Sequence, residues 1–406
     1  MSPVARPFRS VHAAHLSWQE CVEEIVDRLL AAPLAPTDAH TETLGFLFLG
    51  NTLHQEVERI LTLLQQRTGI RRWAGTVANG IMGMDRDYRL EPAIAAMVGT
   101  FPKGSTRVFS AVDPLPGRHS GMPSPWWTAL VYGDGGHPDV MTQLKQTAAQ
   151  VRSGFLFGGL TEGGAEQPLP AFAGERVLRQ RSLAGVAFRD DVAVQVRMAQ
   201  AFKPLGGAHQ ITEAHDNIIV ELDGQRALDV LDEEFFEHHP LPLPPNVTLA
   251  ELPAVLVDMG VYRTAHAAMS GNNRQDMGQL ADFDLSVVED IDPSGGRLIM
   301  TVDVQTDTRL RFCVPDATAA HHDLQQMLTR LQEDIAARNL SIRGGIYISD
   351  TARGRTMFRE PGAELRMIRN TLGDFPLIGY YSEGEIQREV RHTQAGLLTL
   401  FTAESD

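Results

Sequence analysis

The stretch that decides the fold reads Phe375-Pro376-Leu377-Ile378-Gly379-Tyr380-Tyr381-Ser382-Glu383-Gly384-Glu385-Ile386. An apolar run typical of a strand reaches one glycine, continues through aromatic and polar residues, and reaches a second glycine five positions later. Glycines with the same spacing occur twice more, at positions 75 and 80 and at positions 158 and 163. The repetition indicates that the chain contains three copies of one structural unit.

The residues upstream of each glycine pair repeat as well. An apolar strand ends in a polar turn and is followed by a helix whose apolar residues recur every three or four positions. The three helical stripes are Val57, Ile60, Leu61 and Leu64; Val140, Met141, Leu144, Ala148 and Val151; and Leu365, Ile368 and Leu372. We therefore predict an α/β fold of repeated strand-helix-strand units, in which mixed sheets are flanked by helices and the expected arrangement is a layered αββα sandwich.

This pattern resembles the FIST family, a bacterial signal-transduction module that is also found in F-box adaptors. Residues 376–386 are similar to the family's Pro-x-x-Gly-Phe-Phe-x-x-Gly-Glu-Ile motif, and Arg353-Gly354 matches the end of its Phe-Ser-Cys-x-x-Arg-Gly motif. The chain departs from the family at two cysteine positions, which are Thr76 and Asp350 here. The resemblance therefore does not extend to chemistry that depends on those thiols.

The length of 406 residues suits two domains. The resemblance places a FIST N-terminal domain at 10–236 and a FIST C-terminal domain at 249–406. The proline-rich residues between them, 237–248, are predicted to be an extended spacer. Residues 185–198 alternate apolar and polar side chains on either side of Arg189-Asp190-Asp191, which predicts a hairpin within the first domain.

Composition limits the classes of partner. The net charge is −15 and no cluster of Lys and Arg occurs, so neither nucleic acid nor an anionic membrane is an expected partner. No apolar run approaches the roughly 20 residues that span a bilayer, and the N-terminus lacks the apolar core of a secretory signal. Two cysteines, Cys21 and Cys313, form no disulfide framework. A cytoplasmic location is therefore predicted.

The C-terminal glycine turn carries the richest set of candidate binding groups. Tyr380, Tyr381, Ser382, Glu383, Gly384 and Glu385 surround it, and Asp350, Arg353 and Gly354 follow the unit's opening strand. If the unit's two strands are neighbours, their polar ends meet at one rim. An arginine fork suits a carboxylate and an acidic pair suits an ammonium group. These residues together predict a site for a small zwitterion such as an amino acid, which agrees with the ligand class proposed for FIST domains.

The other two turns offer equivalent but sparser binding groups. They are Thr76, Asn79 and Gly80 in the first unit, and Thr161, Glu162 and Gly163 in the second. Two simpler interpretations stay open. In the first, the glycines only permit a tight strand exit and close packing. In the second, Arg353 pairs with Glu383 or Glu385 as an internal ion pair.

Two other functions remain as alternatives. Haem needs only one axial histidine, and some FIST-like proteins are haem-based gas sensors, although the chain's adjacent histidines lack the spacing of a helical metal clamp. An enzyme could use the acidic cluster Asp350, Glu383 and Glu385, although no established catalytic motif is present. We predict a sensory protein that requires no cofactor, binds a small molecule and signals through a separate partner protein, with its oligomeric state open.

Overall fold

The computed structural model describes residues 7–31, 39–116, 124–163, 168–174, 176–178, 183–238, 260–264, 284–300, 303–306 and 308–405. The chain divides into two compact units: unit 1 combines Met1–Gln200 with His321–Asp406, and unit 2 is Ala201–Ala320. Most of the predicted proline-rich spacer lies outside the described residues. The predicted domain boundaries at 236 and 249 stay a prediction.

Unit 1 contains three similar successions of elements. The first comprises β1 (Phe8–Ala14), α1 (Trp18–Leu30), β2 (Thr41–Gly50), a short 3-10 turn (Asn51–Leu53), α2 (Val57–Thr68), β3 (Trp73–Ala78), β4 (Ile81–Gly83), β5 (Arg86–Tyr88) and β6 (Ala93–Pro102). The second comprises β7 (Thr106–Ser110), β8 (Thr128–Asp134), α3 (Val140–Gln150), β9 (Phe155–Thr161), β10 (Ala171–Ala173), β11 (Arg176–Leu178) and β12 (Leu183–Phe188). The repeat inferred from the glycines is therefore present, and it is longer than the motif that revealed it.

The chain leaves unit 1 after β13 (Val194–Ala199) and forms unit 2 before it returns. Unit 2 is an eight-stranded sheet with one described helix, comprising β14 (Phe202–Pro204), β15 (His209–His215), β16 (Ile218–Leu222), β17 (Gln225–Arg226), α4 (Ala227–His238), β18 (Gly260–Thr264), β19 (Asp284–Asp292), β20 (Arg297–Met300) and β21 (Arg309–Pro315). Its core packs α4 against the sheet through residues such as Leu231, Phe235 and Phe312.

The third succession begins with β13 and resumes after unit 2. It continues with α5 (Ala317–Ala337), β22 (Leu340–Asp350), α6 (Gly354–Phe358), α7 (Ala363–Leu372), β23 (Leu377–Ser382), β24 (Gly384–Gln387), β25 (Val390–His392) and β26 (Gly396–Glu404). Helix α2 of the first succession ends at Gly69, whose φ of 72° forms a left-handed C-cap.

Each succession supplies four strands of a six-stranded sheet, and the three sheets have one common order. The orders are β1-β6-β2-β3-β10-β11, β7-β12-β8-β9-β24-β25 and β13-β26-β22-β23-β4-β5. The last two strands of every sheet form a hairpin donated by another succession. The repeats therefore exchange hairpins in a closed cycle, which ties all three together through backbone hydrogen bonds.

The three sheets share one central core. The rings of Phe8 and Phe46 from the first sheet and Phe188 from the second all lie within 5.3 to 5.7 Å of Phe401 from the third. The outer face of the first sheet packs against α1 and α2. The α/β class with mixed sheets and flanking helices is confirmed, but the core lies among three sheets where an αββα sandwich has two.

The predicted hairpin at 185–198 is wrong. Its two strands, β12 and β13, belong to different sheets, where β12 pairs with β7 and β8 while β13 pairs with β26. Alternation of apolar residues correctly indicated strands, but it carries no information about the strand with which each one pairs.

Candidate functional site

The carboxyl ends of three pairs of parallel strands lead to the candidate site. The pairs are β2 with β3, β8 with β9, and β22 with β23. The third unit's two strands, β22 and β23, are therefore neighbours. The first residues after β3, β9 and β23 are Asn79, Glu162 and Glu383, which occupy equivalent positions in the three repeats.

These three equivalent residues contact one another. The Glu383 carboxylate accepts hydrogen bonds from Asn79 Nδ2 through Oε1 at 2.7 Å and from the Glu162 backbone amide through Oε2 at 2.8 Å. Asn79 Nδ2 also donates to the Glu162 carbonyl oxygen at 3.1 Å, and Asn79 Oδ1 accepts from Asn51 Nδ2 at 3.1 Å. We call the cluster of Asn51, Asn79, Glu162, Glu383 and Arg391 the turn junction.

Arg391 is the cation of the turn junction. Its Nη2 donates to Glu162 Oε1 at 2.8 Å and to the Glu383 carbonyl oxygen at 2.6 Å. The side chains of Arg391 and Glu162 are 31% and 38% exposed, so solvent reaches this ion pair. Arg391 was not predicted from the sequence. The available signal was its place in the short hairpin β24–β25, which turns the chain back beside Gly384.

Burial raises the pKa of Glu383, a carboxyl group of the turn junction. Desolvation raises the pKa of Glu383 to about 7, against the opposing hydrogen bonds from Asn79 and the Glu162 amide, and the charges of Glu162 and Asp350 raise it further. A carboxyl group with such a pKa changes its protonation state close to neutral pH.

We expect Glu383→Gln to change the pH dependence of stability. The folded protein retains a proton on Glu383 that the unfolded chain releases near pH 4.5, so this group's contribution to stability falls as the pH rises from 4.5 to 7. Glutamine releases no proton. The free energy of unfolding of the variant relative to the wild type, measured in urea, should therefore rise over this window by up to about 3 kcal/mol.

The matched control is Glu389→Gln, which removes a charge from the exposed turn of the hairpin β24–β25 that follows Glu383. A difference between Glu383→Gln and the wild type that stays constant from pH 4.5 to pH 8 would contradict the raised pKa of Glu383.

Glu385 and Asp350 lie inside the protein. Glu385 accepts hydrogen bonds from Ser382 Oγ and from the Ala395 amide, while Asp350 accepts from the backbone amides of Ala352 and Gln394, both at 2.8 Å. Burial raises the pKa of both carboxyl groups, that of Glu385 well above its usual range. These two acids are satisfied by internal donors, and their partners differ from those of Glu383.

Arg353 does not lie at the rim where it was predicted. Its side chain is wholly buried, and its Nε pairs with Glu364 Oε1 at 3.1 Å. Glu364 also accepts hydrogen bonds from the hydroxyls of Tyr347 and Ser349, at 2.7 and 2.9 Å. The alternative prediction of an internal ion pair is correct in kind but wrong in its partner, because Glu364 on α7 replaces Glu383 and Glu385.

The two tyrosines of the C-terminal turn have separate roles. Tyr380 is wholly buried and donates to the Gly159 carbonyl oxygen at 2.9 Å, which links two sheets. Tyr381 donates to Asp87 Oδ2 at 2.9 Å, and the Arg89 guanidinium lies 3.7 Å from the centre of its ring. Tyr381 therefore lies beside the hairpin β4–β5 that the first repeat donates to the third sheet.

The remaining predicted residues pack around these groups. The hydroxyls of Thr76 and Thr161 are buried and lie 3.4 Å apart. A β-carbon at Gly80 would lie 2.8 Å from the Tyr381 ring, and one at Gly384 would lie 2.4 Å from Arg391 Nε. A β-carbon at Gly354 would lie still closer to a side chain, 1.7 Å from Arg89 Nη2. Gly163 is the last described residue before residues 164–167. The glycines near the junction thus make room for neighbouring side chains.

Among the residues that the structure describes, no group of three or more His, Cys, Asp or Glu side chains is arranged to hold a metal ion. No helix in the described part of the chain has the length and apolar character needed to span a membrane.

Comparison with known proteins gives two family matches and several relatives. The FIST N domain matches residues 43–225 and the FIST C domain matches residues 227–388. The uncharacterized protein Rv0628c of Mycobacterium tuberculosis is 23% identical over 355 residues, which cover 84% of this chain and 85% of that protein. The uncharacterized protein Mb0898c of Mycobacterium bovis is 26% identical over 250 residues, which cover 62% of this chain and 58% of that protein.

Proposed function

Because this chain belongs to the FIST family and carries both of its domains, we propose that it binds a small zwitterion, such as an amino acid, at the turn junction. FIST domains are sensory domains of signal transduction. Occupancy of the junction would then be reported to a separate partner protein. The observation that carries the proposal is the contact of Asn79, Glu162 and Glu383, one residue from each repeat.

The position of the junction supports ligand binding. In α/β sheets, ligands bind beyond the carboxyl ends of parallel strands, where helices and loops leave backbone groups and side chains free to converge. Three such ends meet here. A molecule bound among them would contact all three repeats at once, and its presence could change how the repeats pack.

The charges of the junction match those of a zwitterion. The Arg391 guanidinium is a donor for a carboxylate, and Glu162 and Glu383 are acceptors for an ammonium group. The Arg391 to Glu162 ion pair is partly exposed, and such pairs contribute roughly 1 kcal/mol or less. A ligand that carries both charges can therefore separate the two side chains and replace each partner at little cost.

A thermal-shift panel of amino acids tests this proposal. At 100 times its dissociation constant, a bound ligand adds about 2.7 kcal/mol to the free energy of unfolding, which for a unit of this size raises Tm by roughly 5 °C. Arg391→Gln and Glu162→Gln should each abolish the shift. Arg388→Gln, an exposed arginine in the same hairpin, should preserve it.

Compounds with one charge complete the design. Propionate is alanine without its ammonium group and ethylamine is alanine without its carboxylate, so neither should reproduce the shift of a matching amino acid at the junction. No shift with any amino acid, or a shift that Arg391→Gln leaves unchanged, would contradict the proposal.

A further inference from the structure

A histidine ring lies between two carboxylates in unit 2. His209 belongs to β15, and its side chain is 15% exposed. Its Nδ1 lies 2.8 Å from Oδ2 of Asp223, in the turn between β16 and β17, and its Nε2 lies 2.9 Å from Oε1 of Glu234 on α4. We propose that His209 is a pH-sensitive clasp, which fastens α4 to the β16–β17 turn while both of its ring nitrogens carry a proton.

The two acids that face the ring act as acceptors. Glu234 Oε1 also accepts a hydrogen bond from the Gly207 amide at 3.2 Å, and Asp223 Oδ1 accepts one from the Gln210 amide at 3.0 Å. A neutral imidazole has one N–H and one bare nitrogen, whereas the protonated ring donates through both nitrogens. A bare nitrogen would place two lone pairs opposite each other, so both contacts are attractive only when the ring is doubly protonated.

The local backbone brings the two acids to the ring. Asp223 and Gly224 have φ values of 52° and 76°, as in the two-residue type I′ turn of a hairpin. The Asp223 amide donates to the Gln210 carbonyl oxygen at 2.9 Å, which holds this turn beside β15. On the side of α4, a β-carbon at Gly206 would lie 1.2 Å from Glu234 Oε2. Glycine at this position therefore makes room for the Glu234 carboxylate.

Further groups face the clasp from α4 and β21. His238 of α4 shares Glu234 with His209, because its Nδ1 lies 3.2 Å from Glu234 Oε2, and its side chain is 40% exposed. The centre of the Phe312 ring on β21 lies 5.9 Å from that of His209. Phe312 is an apolar neighbour, whereas His238 brings a second titratable group to the same acid. The experiment therefore has to separate the two histidines.

The acidity of Asp223 agrees with a positive charge on the ring. Burial raises the pKa of Asp223, but hydrogen bonds from the Gln210 amide and the His209 ring, together with the charges of His209 and Arg309, lower it overall. An ionised carboxylate beside a histidine favours the protonated form of the ring.

The clasp opens as the pH rises. Histidine is the side chain that ordinarily changes its charge between pH 5 and 8. When the His209 ring loses one of its two protons, it also loses one of its two donated hydrogen bonds, either to the turn or to α4. The stability that the clasp contributes is therefore present at low pH and is lost as the pH rises, which makes the hold on α4 dependent on pH.

Selective nitrogen-15 labelling of histidine in the full chain tests the proposal by NMR. Protonated and bare ring nitrogens have different chemical shifts, so the number of ring protons can be read at each pH, and the signals that vanish in His209→Gln assign the residue. The internal control is His215 of the same strand, which is 72% exposed and contacts Glu213 at 3.3 Å. We expect His209 to lose its second proton about one pH unit or more above His215.

Hydrogen exchange of peptides that cover α4 measures the clasp itself. After correction for the intrinsic effect of pH, protection of α4 in the wild type should fall about tenfold between pH 6 and pH 8.5, the effect of losing one hydrogen bond to a charged group. His209→Gln, which is neutral at every pH, should abolish this fall. His215→Gln and His238→Gln should retain it.

Asp223→Asn covers the case in which His209→Gln does not fold, because the Asp223 side chain is 47% exposed. It removes a negative charge beside the ring, so His209 should lose its second proton at a lower pH than in the wild type. A His209 ring whose number of protons stays constant from pH 6 to pH 8.5, or that titrates together with His215, would overturn the proposal. So would a fall in protection that His238→Gln abolishes and His209→Gln leaves unchanged.

Discussion

Replacing Gly379 with alanine is expected to cost more than about 4 kcal/mol of stability, a loss that few single substitutions cause. Gly379 lies in β23 opposite Tyr347 of the parallel strand β22. A β-carbon at this position would lie 2.0 Å from the Tyr347 carbonyl oxygen. Because the obstacle is backbone within a buried sheet, no side-chain rotation relieves the clash, and the two strands would have to separate.

The same close approach occurs in all three repeats. A β-carbon at Gly75 would lie 1.8 Å from the Leu47 carbonyl oxygen, and one at Gly158 would lie 2.0 Å from that of Val131. The simpler interpretation of the glycines as packing residues therefore describes the first glycine of each pair. Alanine at positions 75 and 158 is expected to be similarly destabilising.

Urea unfolding of Gly379→Ala alongside Gly104→Ala measures this effect. Gly104 has a φ of 73° and open space around it, so alanine there suffers only the strain of a left-handed backbone, about 1 to 2 kcal/mol. Gly379 has no left-handed backbone, so its loss comes from the close contact and should exceed that of Gly104→Ala. Equal losses would mean that the contact costs no more than about 1 to 2 kcal/mol.

Arg353→Met is expected to cost about 3 to 5 kcal/mol, because it leaves the Glu364 carboxylate buried without its counter-charge. Adding Glu364→Gln should restore much of this loss. Glutamine is neutral, and its side-chain oxygen can still accept a hydrogen bond from Tyr347 or Ser349. The double-mutant cycle, measured by urea denaturation, separates the coupling of the pair from the cost of each single change.

Arg366→Met is the matched control for this cycle. Arg366 pairs with Glu360 in the same segment at 2.8 Å, but both side chains are exposed, at 43% and 79%. Its removal should cost roughly 1 kcal/mol or less. If Arg353→Met were as mild as Arg366→Met, Glu364 would have to be protonated or solvated in the variant.

Much of the fold could be predicted because its signals are local. Val57, Ile60, Leu61 and Leu64 recur with helical spacing and are the buried residues of α2. The three repeats were evident from glycine spacing, since each first glycine must fit against a neighbouring strand. The exchange of hairpins was not predictable, because β4, β10 and β24 have no pattern that names the sheet they join.

The residues of the candidate site could likewise be predicted only where the signal was local. Asn79, Glu162 and Glu383 were identified from their turns, but the contact of Asn79 with Glu383 joins residues 304 positions apart. The contact of Arg391 with Glu162 spans 229 positions, and that of Tyr381 with Asp87 spans 294. Arg391 and Asp87 were missed and Arg353 was misplaced, because the partner of a charged side chain depends on which strands become neighbours.

The amino-acid sequence by itself determined the repeated unit, the helices, the polar turns and the family to which the chain belongs. These features depend on residues within one or two turns of chain, whose periodicity and conformational preferences act locally. Only the tertiary structure decided which three turns meet and that Arg391 and not Arg353 lies among them. Those outcomes follow from the cyclic exchange of hairpins, which brings together side chains hundreds of positions apart.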